Sequence, residues 1–172
     1  MSQSNQPMSG MHRGRRTAGR AQLDPAADPY HPQRQPHGPV VCPQCGVVHT
    51  QGRWHWGTAP DGATEELCPA CLRIRDQFPA GVVTLHGPLA QPRLDEMLAL
   101  ARHHEAAEKQ EHPLNRIMRI EETADALQIT TTDIHLPRRI GEALRRAFHG
   151  EVDFSFDEDA YFARVNWHSP KS

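Results

Sequence analysis

The clearest chemistry in this sequence belongs to four cysteines in two pairs. They are Cys42-Pro-Gln-Cys45-Gly46 and Cys68-Pro-Ala-Cys71, separated by 22 residues. A CxxC turn lets two thiolates converge on one ion, and its backbone N–H groups point at the sulfurs. Two such knuckles complete a tetrahedral four-sulfur site. Proline in the second position stiffens each turn, and Gly46 permits the positive φ that commonly follows one. The spacing is close to that of structural zinc sites. The expected cofactor is one structural Zn²⁺ per chain, held by Cys42, Cys45, Cys68 and Cys71. Four protein ligands leave no open position for water, which argues against metal catalysis. Iron in a rubredoxin-like site and dithiol redox chemistry are the alternatives. Aromatic shielding for iron is thin, and no CxxC follows a predicted strand and opens a helix.

Other side chains suggest contacts with nucleic acid. The loop between the knuckles holds Gly52-Arg53-Trp54-His55-Trp56-Gly57. In a strand, Trp54 and Trp56 share one face and Arg53 and His55 the other. Such aromatics serve as platforms for unpaired bases, and equally as packing for a small core. Thr130-Thr131-Thr132-Asp133 stands where a strand hands over to a helix. Its oxygens cap the helix, or its free N–H groups hold a phosphate. Arg138, Arg139, Arg145 and Arg146 lie opposite an apolar stripe and form a basic ridge, with Glu142 embedded in it. The ridge is either an RNA surface or a solvated helix face with internal ion pairs. His104, Glu108 and His112 fall at i, i+4, i+8, a spacing that suits a metal but also arises on ordinary charged helices. Glycine phosphate loops, a Gly-x-Ser-x-Gly elbow and HExxH are missing. No enzyme and no small-molecule substrate are therefore expected.

These groups must be positioned by a short chain. It has 172 residues, 37% hydrophobic, with 15 prolines. That length suits one modest domain or two very small ones. Arg13, Arg15, Arg16, Arg20 and Arg34 against Asp24 and Asp28 make residues 1–37 net +3; with −2 overall, the rest is −5. A uniformly basic nucleic-acid domain is excluded, so any RNA surface must be local. No run of 18 apolar residues exists, so no membrane span is expected. No apolar segment follows the basic residues near Met1, so a cytoplasmic location is expected.

The proline-rich segment 1–39 shows no apolar periodicity and reads as a disordered tail. Residues 40–80 form the ribbon, 81–168 an α/β body, and 169–172 a disordered end. In the body, VVTLH (82–86) reads as a strand and Pro92 to Glu111 as a helix ended by His112-Pro113. Residues 114–122 and 126–132 read as antiparallel strands, with Leu127, Ile129 and Thr131 on one face. A second helix follows Asp133, starts at Leu136 or Pro137, carries Ile140, Leu144, Ala147 and Phe148 inward, and stops at Gly150. Two alternating strands close the chain, carrying Val152, Phe154 and Phe156, then Tyr161, Ala163, Val165 and Trp167. Without the last strand this is the split β-α-β order of ferredoxin-like folds. The expected fold class is α+β: a four-cysteine zinc ribbon, then a ferredoxin-like antiparallel sheet with both helices on one face. The body's own two apolar stripes suggest that it folds without the ribbon.

The knuckles, LNRIMRIEE (114–122) and above all TTTDIHLPRRIGEAL (130–144) resemble a group of small bacterial zinc-ribbon proteins. These are similar to the amino-terminal region of the ribosome-associated family named after nonsense-mediated decay, whose eukaryotic member is the nuclear export adaptor of the large ribosomal subunit. The resemblance covers roughly residues 40–168. It implies binding to large-subunit rRNA or ribosomal protein, without the later domains of the larger relatives. The expected function is RNA binding in association with the ribosome, with Arg53, Trp54, Arg138, Arg139, Arg145 and Arg146 as contacts. The alternative is a zinc-stabilised protein–protein interaction module.

Overall fold

The computed structural model describes residues 28–31 and 36–171. The basic stretch HRGRRTAGR lies outside the described residues. The chain is a mixed α+β structure of three helices and two sheets. The smaller sheet contains β1 (Val40–Val41), β2 (Val48–Thr50), β3 (Arg53–His55) and β4 (Thr64–Glu65), in the order β3-β2-β1-β4. Gln51 and Gly52 both take positive φ, 51° and 80°, the conformation of a tight two-residue hairpin between β2 and β3. A short helix, α1 (Pro69–Asp76), starts at the second knuckle with Cys68 as its N-cap and Pro69 in its first turn. At eight residues it is too short for apolar periodicity to announce it.

Asp28 to His31, read from sequence as tail, form a turn docked on α1. The Asp28 carboxylate takes Arg73 at 2.6 Å, and the Tyr30 hydroxyl donates to Asp76 at 2.9 Å. The Arg73 guanidinium lies 4.5 Å from the Tyr30 ring centre.

The larger sheet contains β5 (Gly81–His86), β6 (Ile117–Glu122), β7 (Ala126–Thr131), β8 (Glu151–Asp157) and β9 (Phe162–His168), in the order β6-β7-β5-β9-β8. Helix α2 (Gln91–Glu111) follows β5, and α3 (Leu136–Phe148) follows β7. Leu94, Met97 and Ala101 of α2 and Leu136, Ile140 and Leu144 of α3 share one core with Val83, Leu85, Leu127, Ile129, Val165 and Trp167. Both helices therefore lie on one face. Gln128 and Thr130 alternate to the wetter face of β7. Ala147 is exposed, and Ala143 takes the buried place on α3.

The expectation of a wholly antiparallel sheet needs one correction. β9, not β8, lies beside β5 and runs parallel to it, in the register Val83↔Val165 and Leu85↔Trp167. β8 becomes the outer strand. The reason is apolar burial. β9 places Ala163, Val165 and Trp167 in the interior, whereas five of the seven residues of β8 are exposed. Glu151, Asp153 and Asp157 suit an edge, where charge discourages pairing with a further strand.

Gly150, just past the end of α3, takes φ +84° and lies against the backbone carbonyl of His168 and the Trp167 indole. A Cβ there is strained by φ and meets a carbonyl that a strand holds in place. Gly150→Ala is therefore expected to lower stability by about 1–3 kcal/mol in urea unfolding.

Candidate metal centre

Two backbone turns and a helix start bring the four sulfurs together. The Cys42 N–H donates to the Val47 carbonyl at 2.9 Å, and the Gly46 N–H to the Cys42 carbonyl at 2.8 Å, closing the first knuckle. Gly46 takes φ +81° there, as the turn requires. In the second knuckle the Cys71 N–H points at the Cys68 sulfur, 3.4 Å away. The Sγ atoms of Cys42, Cys45, Cys68 and Cys71 all lie within 4.8 Å of one another, and all four cysteines are free of disulfides. Cys45 and Cys68 are 3.8 Å apart, sulfur to sulfur. The cluster can hold one metal ion. It is the one group among the described residues with that capacity.

Electrostatics divide the thiols. Burial pushes the Cys42 thiol up, but hydrogen bonds from the backbone of Cys68, Cys45 and Gln44 outweigh it and bring it down to about 7. Burial raises Cys68 well above the ordinary thiol range and raises Cys71 as well. Four thiolates in this space need a cation to be stable together.

One cation is built into the chain, and sequence spacing does not reveal it. Arg116, on the loop after α2, is 5% exposed. Its Nη2 lies 3.2 Å from the Cys45 sulfur and 3.9 Å from Cys68, and its Nη1 lies 3.4 Å from Cys71. Its Nε donates to the Pro113 carbonyl at 2.7 Å. The Thr132 hydroxyl accepts from the Arg116 N–H at 2.9 Å, which ties this loop to the end of β7. Arginine, always charged and forked, suits a partner of several sulfurs. The pairing spans 45 to 71 residues of sequence, so nothing in the local sequence Leu114-Asn115-Arg116-Ile117 announces it.

The aromatic candidates separate. Trp54 packs on the cysteine cluster and meets the His49 ring edge-on at 5.0 Å. Trp56 is 39% exposed, and its Nε1 donates to the Lys109 carbonyl at 2.7 Å, joining the ribbon to the end of α2. Arg53 is exposed on β3.

The arginine ridge divides into two sides. Arg138 leans over the Phe154 ring and pairs with Glu142 at 3.2 Å. Arg139 turns toward α2 and pairs with the buried Glu108 at 2.9 Å. Arg145 and Arg146 are exposed, and the ion pairs among the described residues do not include them. Glu108 also accepts from Asn115 at 3.2 Å, and His112 is 4.0 Å from it, so this carboxylate serves the arginine rather than a metal. Burial holds the His104 imidazole below its usual range, aided by the nearby charges of His103, Arg139 and Arg146. Along the seam between α2 and α3, Glu108 therefore offsets Arg139, and Arg146 stands beside His104 without an ion pair among the described residues.

Thr130 to Asp133 act as structure. The Thr131 hydroxyl donates to the Asp133 carbonyl, and the Asp133 carboxylate accepts from the N–H groups of His135 and Leu136 at the start of α3.

The chain matches no protein-family model, no curated protein and no solved structure. Among the described residues no helix is long and apolar enough to cross a membrane.

Proposed function

We propose that this chain is a zinc-ribbon protein that binds RNA, in association with the ribosome. Zinc is supported by donor chemistry and spacing. A tetrahedron with zinc–sulfur bonds of about 2.3 Å has sulfurs about 3.8 Å apart, the Cys45–Cys68 separation. An all-thiolate set suits zinc, and a ribbon whose buried cluster is little more than its cysteines, Val47 and Ala70 needs a metal to fold. The closed ligand set supports a structural ion rather than a catalytic one. Elemental analysis of the protein purified without added metal is expected to give about one zinc per chain; iron, or no metal, sinks that assignment.

The observation that carries RNA binding is the pair of exposed arginines on the last turn of α3, Arg145 and Arg146, which no ion pair among the described residues neutralises. Phosphate is the partner that such a local surface attracts. The resemblance to the ribosome-associated family points the same way. The test is filter binding to ribosomal RNA across a salt series, for wild type and Arg145→Glu/Arg146→Glu, after circular dichroism shows equal folding. Removing one phosphate-neutralising arginine should reduce the salt slope by about one unit. Equal affinity and slope discard the RNA reading. The protein-interaction alternative then leads, supported by Ile74 and Phe78, whose apolar side chains are exposed at α1.

A further inference from the structure

We infer that the groove between the ribbon and the end of α2 holds one unpaired base of the bound RNA, and that this base is guanine. The inference rests on the RNA reading above. The groove has a volume of about 200 Å³ and is lined by Trp54, Glu111, His112, Pro113, Leu114 and Asn115. That is below the roughly 300–1,000 Å³ of pockets for drug-sized ligands. It suits one flat ring system, and Trp54 supplies the aromatic wall on which unpaired bases stack.

The groove offers both kinds of polar group: Glu111 and Asn115 can accept, and the Trp54 indole N–H and the His112 ring can donate. Asn115 Nδ2 donates to Glu108 Oε1 at 3.2 Å. An ionised carboxylate only accepts, so this bond fixes the amide orientation and leaves the Asn115 carbonyl oxygen as the group offered to a ligand. The Glu111 carboxylate also only accepts. The complementary base is one whose pairing edge sets adjacent donors beside an acceptor, as the ring N–H, amine and O6 of guanine do. Guanine carries a ring N–H and an exocyclic amine side by side on that edge, more adjacent donors than any other base offers there.

The groove and the α2–α3 seam share one buried carboxylate. Glu108 Oε1 takes Asn115, and Glu108 Oε2 takes Arg139 Nε at 2.9 Å. One carboxylate therefore lies between Asn115 of the groove and Arg139 of α3. A strand lying on the seam passes beside the groove and can turn a base into it.

The test uses the metal-loaded full chain and short single-stranded RNAs of equal length. Each carries guanine, inosine, adenine or an abasic site at one position in a uridine run. Guanine is expected to bind tightest. Inosine, which lacks the exocyclic amine, is expected to bind about 5-fold or more weakly, as for loss of a paired hydrogen bond to a base. Glu111→Ala and Asn115→Ala are expected to abolish the difference between guanine and inosine. If Asn115→Ala fails to fold, Glu111→Ala, an exposed side chain, carries the test. Equal affinity for all four RNAs, or a preference for another base, overturns the guanine pocket and leaves the RNA reading standing. Failure of the wild type to bind any of these RNAs or ribosomal RNA overturns both.

Discussion

Stripping the metal with a chelator at neutral pH is expected to unfold residues 40–78 and to weaken the α/β body as well. The first effect follows from size. The ribbon has short strands of two or three residues and a buried cluster built mainly from the ligands themselves. Metal binding must then supply much of its folding free energy. The second effect follows from Arg116. With metal bound, the four thiolates give this buried guanidinium anionic partners. Without metal, burial keeps Cys68 and Cys71 protonated at neutral pH. With the ribbon unfolded, Arg116 loses its bonds to Cys45, Cys68 and Cys71, and the end of α2 loses the Trp56 bond to Lys109, while Pro113 and Thr132 still hold Arg116 on the body. A hydrogen bond to a charged group contributes about 1.5–3 kcal/mol. The body is expected to lose stability of that order in urea unfolding followed by far-ultraviolet circular dichroism. In Arg116→Met the bonds to the sulfurs are already absent, so chelation should shift the body's midpoint much less than in the wild type. Cys68→Ser should reproduce the effect of chelation. If the metal-free wild type keeps its midpoint, Arg116 does not couple the two units.

How much of this was legible depended on the range of each interaction. The cysteine cluster was readable because a CxxC turn is local and its chemistry nearly fixes its geometry. The strands and helices of the body were readable from period: Leu127, Ile129 and Thr131 do alternate with Gln128 and Thr130, and Leu136, Ile140 and Leu144 do turn inward. The position of β9 was not readable. Both closing strands alternate, and the choice of which lies beside β5 is settled by comparing burial across the whole sheet. Trp167, fully buried with its indole N–H on the His149 carbonyl, shows what favours β9. Arg116 and Glu108 were unreadable as partners for the same reason. Each is one charged residue among many until the fold brings Cys45, or Arg139, to it. The basic ridge was visible as a pattern, but its division was not, because the division depends on Phe154 lying on one side of α3 and Glu108 on the other.

Asp133→Asn is expected to remove a large pH dependence of stability. The Asp133 Oδ2 caps α3, while Oδ1 is buried and has no hydrogen-bond partner among the described residues. Burial pushes this carboxyl up to about 7, against the pull of the two N–H groups, and the charge of Glu108 adds to the rise. The sign follows from linkage. The folded chain holds a proton that the unfolded chain releases near pH 4, so the contribution is fully present below that pH and is lost as pH rises through 7. Between pH 5 and pH 8 the loss is about 2–3 kcal/mol. His104 acts in the opposite sense, because its folded-state pKa is lowered, and its contribution is lost as pH falls below its ordinary value near 6.5. Comparing wild type with variant at each pH cancels that term. Asparagine keeps an oxygen for the cap and carries no charge, so Asp133→Asn should gain on the wild type by about 2–3 kcal/mol between pH 5 and pH 8. Urea unfolding of the metal-loaded proteins at pH 5, 6.5 and 8 measures it. Parallel curves would mean that Asp133 stays ionised in the folded chain across this range, with a partner for Oδ1 that solution supplies.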